Sequence, residues 1–211
     1  MKKRVGILGS GVVGTTLANG LKNLGYEVSV GNRKGTAVDN WTGEIGKYKD
    51  VAAQSEIIIL AVKGSAAEEV VNGVIDQLSD NTVIDTTNPI ADKAPDEGVL
   101  SYFTSLDESL MERLQAAAPS ANFVKAFNCV GNAFMVNPTF SGNRPVMFIC
   151  GKNDDAKKEV AELLDKLGWD FEDFGGVKSA RAIEPLCILW CIPGMLRNEW
   201  SHAFTLLKPQ H

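Results

Sequence analysis

The sequence Val5-Gly6-Ile7-Leu8-Gly9-Ser10-Gly11-Val12-Val13-Gly14 decides the fold of this chain. An apolar strand runs there into a G-x-G-x-x-G turn. A helical stretch to Leu24 follows, and then a second strand, Glu27-Val28-Ser29-Val30. A strand, this turn, a helix and a strand, in that order, are typical of the βαβ unit that binds a dinucleotide. The stretch therefore predicts a Rossmann-type domain at the start of the chain.

The three glycines of the turn have separate physical tasks. Gly9 permits a tight turn at the end of the strand, and Gly11 lets backbone N–H groups approach a pyrophosphate with no Cβ between them. Gly14 lets the helix lie close to the sheet. The helix then presents unpaired N–H groups and a partial positive charge at its first turn. The turn therefore predicts a diphosphate site, and a glycine-rich turn without a ligand is the alternative.

The residues at the end of the second strand indicate which dinucleotide is bound. NAD sites usually place Asp or Glu there, about 20 residues after the glycines, to accept hydrogen bonds from the ribose. This chain has Asn32, Arg33 and Lys34 instead, with Thr36 close behind. All four side chains can donate to a 2′-phosphate, which a carboxylate would repel. We therefore predict NADP rather than NAD, and the alternative is a solvated basic turn.

Composition and charge exclude several classes of function. The 211 residues carry a formal net charge of −5, which indicates no basic surface for nucleic acid or for an acidic membrane. The four cysteines form no C-x-x-C pair, and the two histidines, His202 and His211, show no zinc-ligand spacing, so we expect no metal site. Glycines interrupt the apolar run after the charged start, and we expect no apolar stretch of membrane-spanning length. These features predict a cytoplasmic protein without a membrane partner.

Apolar runs and helical stretches alternate along the rest of the chain. Ile57–Val62 is continuously apolar, as is typical of a parallel strand buried on both faces. Thr82–Asp85 and Phe123–Phe127 follow as further strands with helices between them, whereas residues 35–48 are predicted to form a polar loop. This alternation predicts the α/β class with a Rossmann-type, doubly wound parallel sheet.

The remainder of the chain is predicted to form a smaller unit. We assign residues 1–140 to an NADP-binding Rossmann domain and residues 141–211 to a small C-terminal α/β extension. A long apolar helix is expected to begin at about Ser179 and to break at Pro193. Because this helix is apolar nearly all round, we expect a second copy of the chain to cover it, which predicts a homodimer.

Six short motifs occur in order along the chain. They are G-I-L-G-S-G-V-V-G from Gly6, V-G-N-R from Val30, L-A-V-K-G from Leu60, D-T-T-N-P from Asp85, V-K-A-F-N from Val124 and S-A-R-A-I-E-P-L-C-I-L-W from Ser179. In this set the chain resembles the NADP oxidoreductase, coenzyme F420-dependent family across nearly its whole length. Its Rossmann part is also similar to the NADPH-binding domain of the STEAP metalloreductases.

The resemblance implies hydride exchange between NADP(H) and a small-molecule acceptor with a flat redox ring, either a flavin or a deazaflavin such as F420. It also implies a set of cofactor-binding residues, grouped here by the part of the cofactor that they hold. They are Gly9, Ser10, Gly11, Val12, Val13 and Gly14 for the pyrophosphate; Asn32, Arg33 and Lys34 for the 2′-phosphate; Ala61, Val62, Lys63, Asn88 and Pro89 beside the nicotinamide; and Asn128, with the start of the long helix, facing the acceptor. The sequence pattern indicates the same location for the site. Lys63, Asn88 and Asn128 each follow a predicted strand, and the crevice of an open α/β sheet lies beyond the carboxyl ends of its strands.

Hydride transfer between two aromatic cofactors needs orientation and little proton handling, so no catalytic side chain is assigned. Reduction of a carbonyl or imine would instead need a placed acid. The tyrosines show no Tyr-x-x-x-Lys spacing, which leaves Lys125, Asp85 or His202 as candidates. Two alternatives therefore stay open. One is an NADPH-dependent reductase of a small carbonyl or imine, with Lys125 or His202 as the acid, and the other is a non-catalytic NADP-binding sensor.

Overall fold

The computed structural model describes residues 3–142 and 144–209 and shows one eight-stranded sheet between two layers of helices. His211 lies outside the described residues. The strands are β1 (Arg4–Leu8), β2 (Glu27–Asn32), β3 (Glu44–Lys47), β4 (Ile57–Leu60), β5 (Thr82–Asp85), β6 (Asn122–Lys125), β7 (Val146–Gly151) and β8 (Asp170–Asp173). The α-helices are α1 (Val12–Asn23), α2 (Tyr48–Ala53), α3 (Gly64–Asn72), α4 (Ile75–Leu78), α5 (Leu110–Ala117), α6 (Asp154–Lys166), α7 (Ala180–Ile183) and α8 (Leu186–Arg197).

The strand order in the sheet is β3-β2-β1-β4-β5-β6-β7-β8. Strands β1 to β6 are parallel, with Ile7 of β1 opposite Val30 of β2 and Ile59 of β4, which confirms the Rossmann-type α/β fold. Strand β7 is antiparallel to β6, and β8 is parallel to β7. Two neighbouring parallel strands need a crossover connection between them, usually a helix. The described residues between β6 and β7 contain one short 3-10 turn and no α-helix. The last two strands therefore run against the first six.

Apolar side chains fill both sides of the sheet. The continuous run of β4 is divided between them, because Ile57 and Ile59 face the layer that holds α1 and α6, and Ile58 and Leu60 face the layer that holds α2, α3 and α5. All four are buried. Burial on both faces explains why this strand shows no alternation of apolar and polar residues.

The structure corrects two predicted segments. The predicted loop at residues 35–48 contains β3, which pairs in parallel with the end of β2. Its residues are half-buried or exposed and include a glycine, so they carry little strand propensity. The long helix predicted from about Ser179 is divided into a 3-10 turn, α7 and α8, and Pro193 lies inside α8 without ending it.

The segment Val177–Arg197 also corrects the expectation about membrane-spanning length. Its 21 residues are long and apolar enough to cross a membrane by length and composition, with a mean hydropathy of 1.2. In this structure the segment is instead part of the fold, because the carboxylate of Glu184 in its middle is buried in an ion pair with Lys125.

Helix α8 is covered on one face by its own chain. Trp190 and Cys191 are buried, and Tyr102 and Phe204 pack against them. The opposite face leaves Leu189 exposed. The homodimer and the cytoplasmic location stay predictions. The division at residue 140 does so too, and β7 and β8 continue the same sheet as the first six strands.

Candidate functional site

Two adjoining clefts run along the edge of the sheet where its central parallel strands end. The β2 cleft, of about 660 Å³, lies beyond β1 and β2 and is lined by residues 10–12, 32–34 and 36–40 with Thr15 and Tyr48. The β5 cleft, of about 530 Å³, lies beyond β4 and β5 and is lined by residues 11–13, 61–65, 86–88 and 90–92. Gly11 and Val12 line both clefts, so the first turn of α1 stands where they meet. Val12 is 64% exposed there, and a dinucleotide lying across both clefts would cover this apolar side chain.

The glycine turn has the shape that a diphosphate requires. Gly9 has a φ of 133°, and a Cβ there would overlap the carbonyl oxygen of Ala61. A Cβ at Gly14 would overlap the carbonyl oxygen of Gly9, so Gly14 allows α1 to sit directly on the turn. In contrast, apart from Gly11 itself and its two chain neighbours, no atom of the described residues lies within 4 Å of the place where a Cβ of Gly11 would be. The space in front of Gly11 is therefore open to a ligand.

The first turn of α1 has the electrostatics for an anion. Within the described part of the chain, no side chain caps the helix at Gly11, and its first turn holds no acidic residue. Its first N–H groups and their partial positive charge are therefore available to a phosphate. Ser10 lines the β2 cleft and Val13 lines the β5 cleft, so the middle of the predicted turn, residues 10–13, lines the two clefts, whereas Gly9 and Gly14 line neither.

The end of β2 presents a basic loop that Asn32 organises. The Oδ1 atom of Asn32 accepts hydrogen bonds from the N–H groups of Lys34, Gly35 and Thr36 at 3.0, 2.7 and 3.3 Å, and its Nδ2 atom donates to the carbonyl oxygen of Thr36 at 2.8 Å. The amide of Asn32 therefore serves its own loop, as Asx turns do. The side chains of Arg33 and Lys34 are exposed and line the β2 cleft.

Arg33 also faces an acidic neighbour across the rim of the cleft. Its guanidinium lies 3.4 Å from the carboxylate of Glu69 on α3, and both groups are exposed. Tyr48, the first residue of α2, lines the same cleft, and burial raises the pKa of its hydroxyl while the positive charge of Arg33 opposes that rise. Tyr48 was not predicted as a site residue, because it follows β3, a strand that the sequence pattern did not indicate.

The predicted residues of the β5 cleft come from two neighbouring strands. Ala61, Val62 and Lys63 follow β4, and Asn88 follows β5. A Cβ at Gly64 would overlap the carbonyl oxygen of Asn88, so the glycine brings the start of α3 close to it. Thr86 and Thr87 also line this cleft and were not predicted as site residues, although they belong to the quoted motif D-T-T-N-P.

The last two predicted residues, Pro89 and Asn128, are buried and line neither cleft. The Nδ2 atom of Asn128 donates to the carbonyl oxygen of Ile183 at 3.0 Å and to Oδ1 of Asn88 at 3.2 Å. The Nδ2 atom of Asn88 donates in turn to the carbonyl oxygen of Asn128 at 2.7 Å. The expectation that Asn128 faces an acceptor is therefore corrected, because it reaches the cleft only through Asn88.

The proposed acids lie away from the clefts. Lys125 is 0% exposed, and its Nζ atom contacts the carboxylates of Asp85 at 2.7 Å and Glu184 at 2.8 Å and the carbonyl oxygen of Thr87 at 2.9 Å. His202 stacks on Trp190 with ring centroids 5.0 Å apart. Neither Lys125 nor His202 lines the β2 or the β5 cleft, so neither can donate a proton to a ligand there.

The sulfur and acidic side chains form no metal site in the residues that the structure describes. All four cysteines are buried and free. Burial raises the pKa of Cys129 to about 12 and is also the main cause that raises the pKa of Cys150 to about 12, so both remain thiols at neutral pH.

Comparisons with known proteins relate the chain to NADP-dependent oxidoreductases. Residues 4–89 match the family described as NADP oxidoreductase coenzyme F420-dependent, which confirms the resemblance seen in the sequence. The chain is 30% identical over 200 residues to the metalloreductase STEAP3 of Rattus norvegicus, a match that covers 92% of this chain and 39% of that protein. The chain therefore spans about two fifths of the length of this relative.

Solved structures show the same fold. A crystal structure from Arthrobacter sp. FB24, provisionally described as an F420-dependent NADP-reductase, is 27% identical and has a TM-score of 0.90, with 98% of this chain and 100% of that chain covered. An imine reductase from Pseudomonas sp. is 18% identical with a TM-score of 0.65, covering 87% of this chain and 59% of that chain. The second likeness shows the fold alone.

Proposed function

Because residues 4–89 match the NADP oxidoreductase coenzyme F420-dependent family and the whole chain has the fold of a related reductase, we propose that this protein is an NADP-dependent oxidoreductase. We further propose that it exchanges hydride between NADP(H) and a flavin or a deazaflavin such as F420. The observation that carries this proposal is the pair of clefts that meet at the open face of Gly11, with exposed basic side chains at one end.

The β2 cleft supports NADP over NAD. Arg33 and Lys34 offer two positive charges at the end of β2, where NAD sites usually place a carboxylate. Asn32 shapes the loop that carries them, through the three N–H groups that its side chain binds. The first turn of α1, between the clefts, would hold the pyrophosphate with its N–H groups.

The β5 cleft would hold the nicotinamide end. When bound, NADPH supplies a hydride, and a flavin or deazaflavin takes it up together with one proton from solvent. Ala61 and Val62 give the cleft apolar contacts that exclude water, and Thr86 and Asn88 add hydrogen-bonding groups that can orient an amide.

The buried position of Lys125 and the distant position of His202 remove the acids considered for a carbonyl or imine reductase. The titratable side chains that line the β5 cleft in the described chain are Lys63 and Asp92. A small-molecule reductase would therefore have to use one of these two groups, and a non-catalytic sensor would use neither.

Cofactor binding and turnover can be measured separately. Calorimetry with NADPH and NADH should show preference for NADPH, and absorbance at 340 nm should then fall when F420, FMN or FAD is added. The variant Gly11→Val is the matched control, because its side chain would enter open space and block the phosphate without disturbing the fold. A fall in absorbance at 340 nm only when a carbonyl or imine is added would favour the small-molecule reductase. Tight binding without turnover on any acceptor would favour the sensor.

A further inference from the structure

Two chains of hydrogen bonds lead from the end of α7 to the wall of the β5 cleft. In the first, the carboxylate of Glu184 contacts Nζ of Lys125, which also holds the carbonyl oxygen of Thr87. In the second, the carbonyl oxygen of Ile183 accepts from Asn128, whose side chain also donates to Asn88. Thr87 and Asn88 are adjacent and both line the β5 cleft.

The first chain of bonds is buried and has little freedom. Lys125, Asp85 and Glu184 are at most 2% exposed. Burial by itself would lower the pKa of Lys125, but the two carboxylates outweigh burial and raise that pKa above its ordinary value. The lysine is therefore charged at neutral pH, and removing one carboxylate would take away one of the two ion pairs that hold its ammonium group in place.

Both carboxylates are also held by backbone groups. Glu184 accepts from the N–H groups of Leu110 and Met111 at 3.0 Å each, which places its charge at the start of α5. Asp85 accepts from the N–H and the hydroxyl of Thr87 at 2.9 and 2.7 Å. The path from Glu184 through Lys125 thus ends at Thr87 in the cleft wall. Lys125 binds the carbonyl oxygen of Thr87, and Asp85, the other partner of Lys125, binds its N–H and hydroxyl groups.

We propose that Glu184 and Asn128 are positioning residues that hold Thr87 and Asn88 in place for the nicotinamide half of NADP(H). This inference rests on the proposed function. It assigns a role at the cofactor site to the C-terminal segment, which lies outside the 4–89 region of the family match. The β2 cleft has no residue in either chain of bonds, so the adenosine half of the cofactor should not depend on them.

The test compares the whole cofactor with its adenosine half. Full-length Glu184→Gln and Asn128→Ala variants are titrated calorimetrically with NADPH and with 2′,5′-ADP, and the fluorescence of the bound dihydronicotinamide ring is recorded. In each variant the affinity for NADPH should fall by about fivefold or more, since Asn128→Ala loses the buried hydrogen bond to Asn88 and Glu184→Gln loses a negative charge that holds Lys125 against Thr87. The affinity for 2′,5′-ADP should stay within about twofold. The ring fluorescence of bound NADPH should move toward that of free NADPH.

Arg181→Gln is the matched control. Arg181 lies on the same α7 segment and binds the same helix α5 through Glu112 at 2.7 Å, but it touches neither chain of bonds. This variant should leave both affinities and the ring fluorescence unchanged, even where it lowers the melting temperature.

The outcomes separate this inference from the proposed function. Unchanged NADPH affinity in both variants overturns the positioning role, and so does an equal loss of NADPH and 2′,5′-ADP affinity, which would report general loosening of the fold. If Glu184→Gln does not fold, Asn128→Ala decides the question. If wild-type protein binds NADPH but reduces no acceptor, the proposed hydride transfer fails while the positioning role is still measured by binding.

Discussion

Replacing Arg33 with alanine tests the physical basis of the NADP assignment. Arg33 lies at the end of β2 on a loop held by Asn32, and its guanidinium lines the β2 cleft. If it binds the 2′-phosphate, its loss should weaken binding of NADPH and leave binding of NADH nearly unchanged, because NADH lacks that group.

The magnitude follows from the surroundings of the guanidinium. Arg33 and Glu69 expose 65% and 74% of their side chains, and their 3.4 Å ion pair is one that contributes about 0–1 kcal/mol to stability. A charge-assisted hydrogen bond to phosphate contributes about 1.5–3 kcal/mol. Because Arg33 must give up part of its contact with Glu69, we expect the lower half of that range, about 2 kcal/mol, or about 30-fold in the dissociation constant.

The measurement is calorimetric titration of wild-type and Arg33→Ala proteins with NADPH and NADH at one ionic strength. Arg197→Ala is the control, because Arg197 is also exposed and pairs with Glu199 at 3.0 Å, but it lines neither the β2 nor the β5 cleft. Equal weakening of NADPH and NADH, or no change in NADPH affinity, would refute the reasoning.

Three further predictions concern the turn, the pH dependence and the thiols. Gly11→Val should fold with a melting temperature near that of wild type and lose binding of both dinucleotides. Gly9→Ala should instead lower the melting temperature, since Gly9 has a positive φ and no room for a Cβ. Circular dichroism measures the melting temperatures and calorimetry measures dinucleotide binding. The hydrogen bonds from Arg181 lower the pKa of Glu112 from 4.5 to about 2. The extra stability of wild type over Glu112→Gln should therefore be full above about pH 4.5 and disappear as the pH falls toward 2. Denaturant unfolding across that range measures the difference, and a difference that grew on acidification would contradict the prediction. Cys129, with its pKa raised to about 12 by burial, should resist iodoacetamide at pH 8 until the protein is unfolded, and mass spectrometry of native protein showing rapid alkylation there would disprove the burial argument.

The glycine turn and the strands around it could be predicted because their signals are local. Neighbouring residues indicate the G-x-G-x-x-G turn between a strand and a helix, because the turn depends on local backbone conformation. They also indicate the buried strand at Ile57–Leu60, because its residues form a continuous apolar run. The role of Asn32 was harder, because counting hydrogen-bond donors identified it as a phosphate ligand, whereas its Nδ2 atom donates to the carbonyl oxygen of Thr36 and its oxygen accepts from N–H groups of the same loop. Strand β3 was missed for lack of strand-forming residues.

The amino-acid order was sufficient for the class of fold, the glycine turn and the basic end of β2, since each is indicated by local patterns of neighbouring residues. The residues that line the β5 cleft were predicted in part, but those that support its wall from behind were not accessible in this way. Lys125 and Asn128 were assigned to chemistry and to the acceptor, whereas folding buries both and connects them to Ile183 and Glu184, more than 50 positions along the chain. A charged or polar side chain in a sequence indicates what it can bond to, but its partner is chosen by the packing that removes both from water.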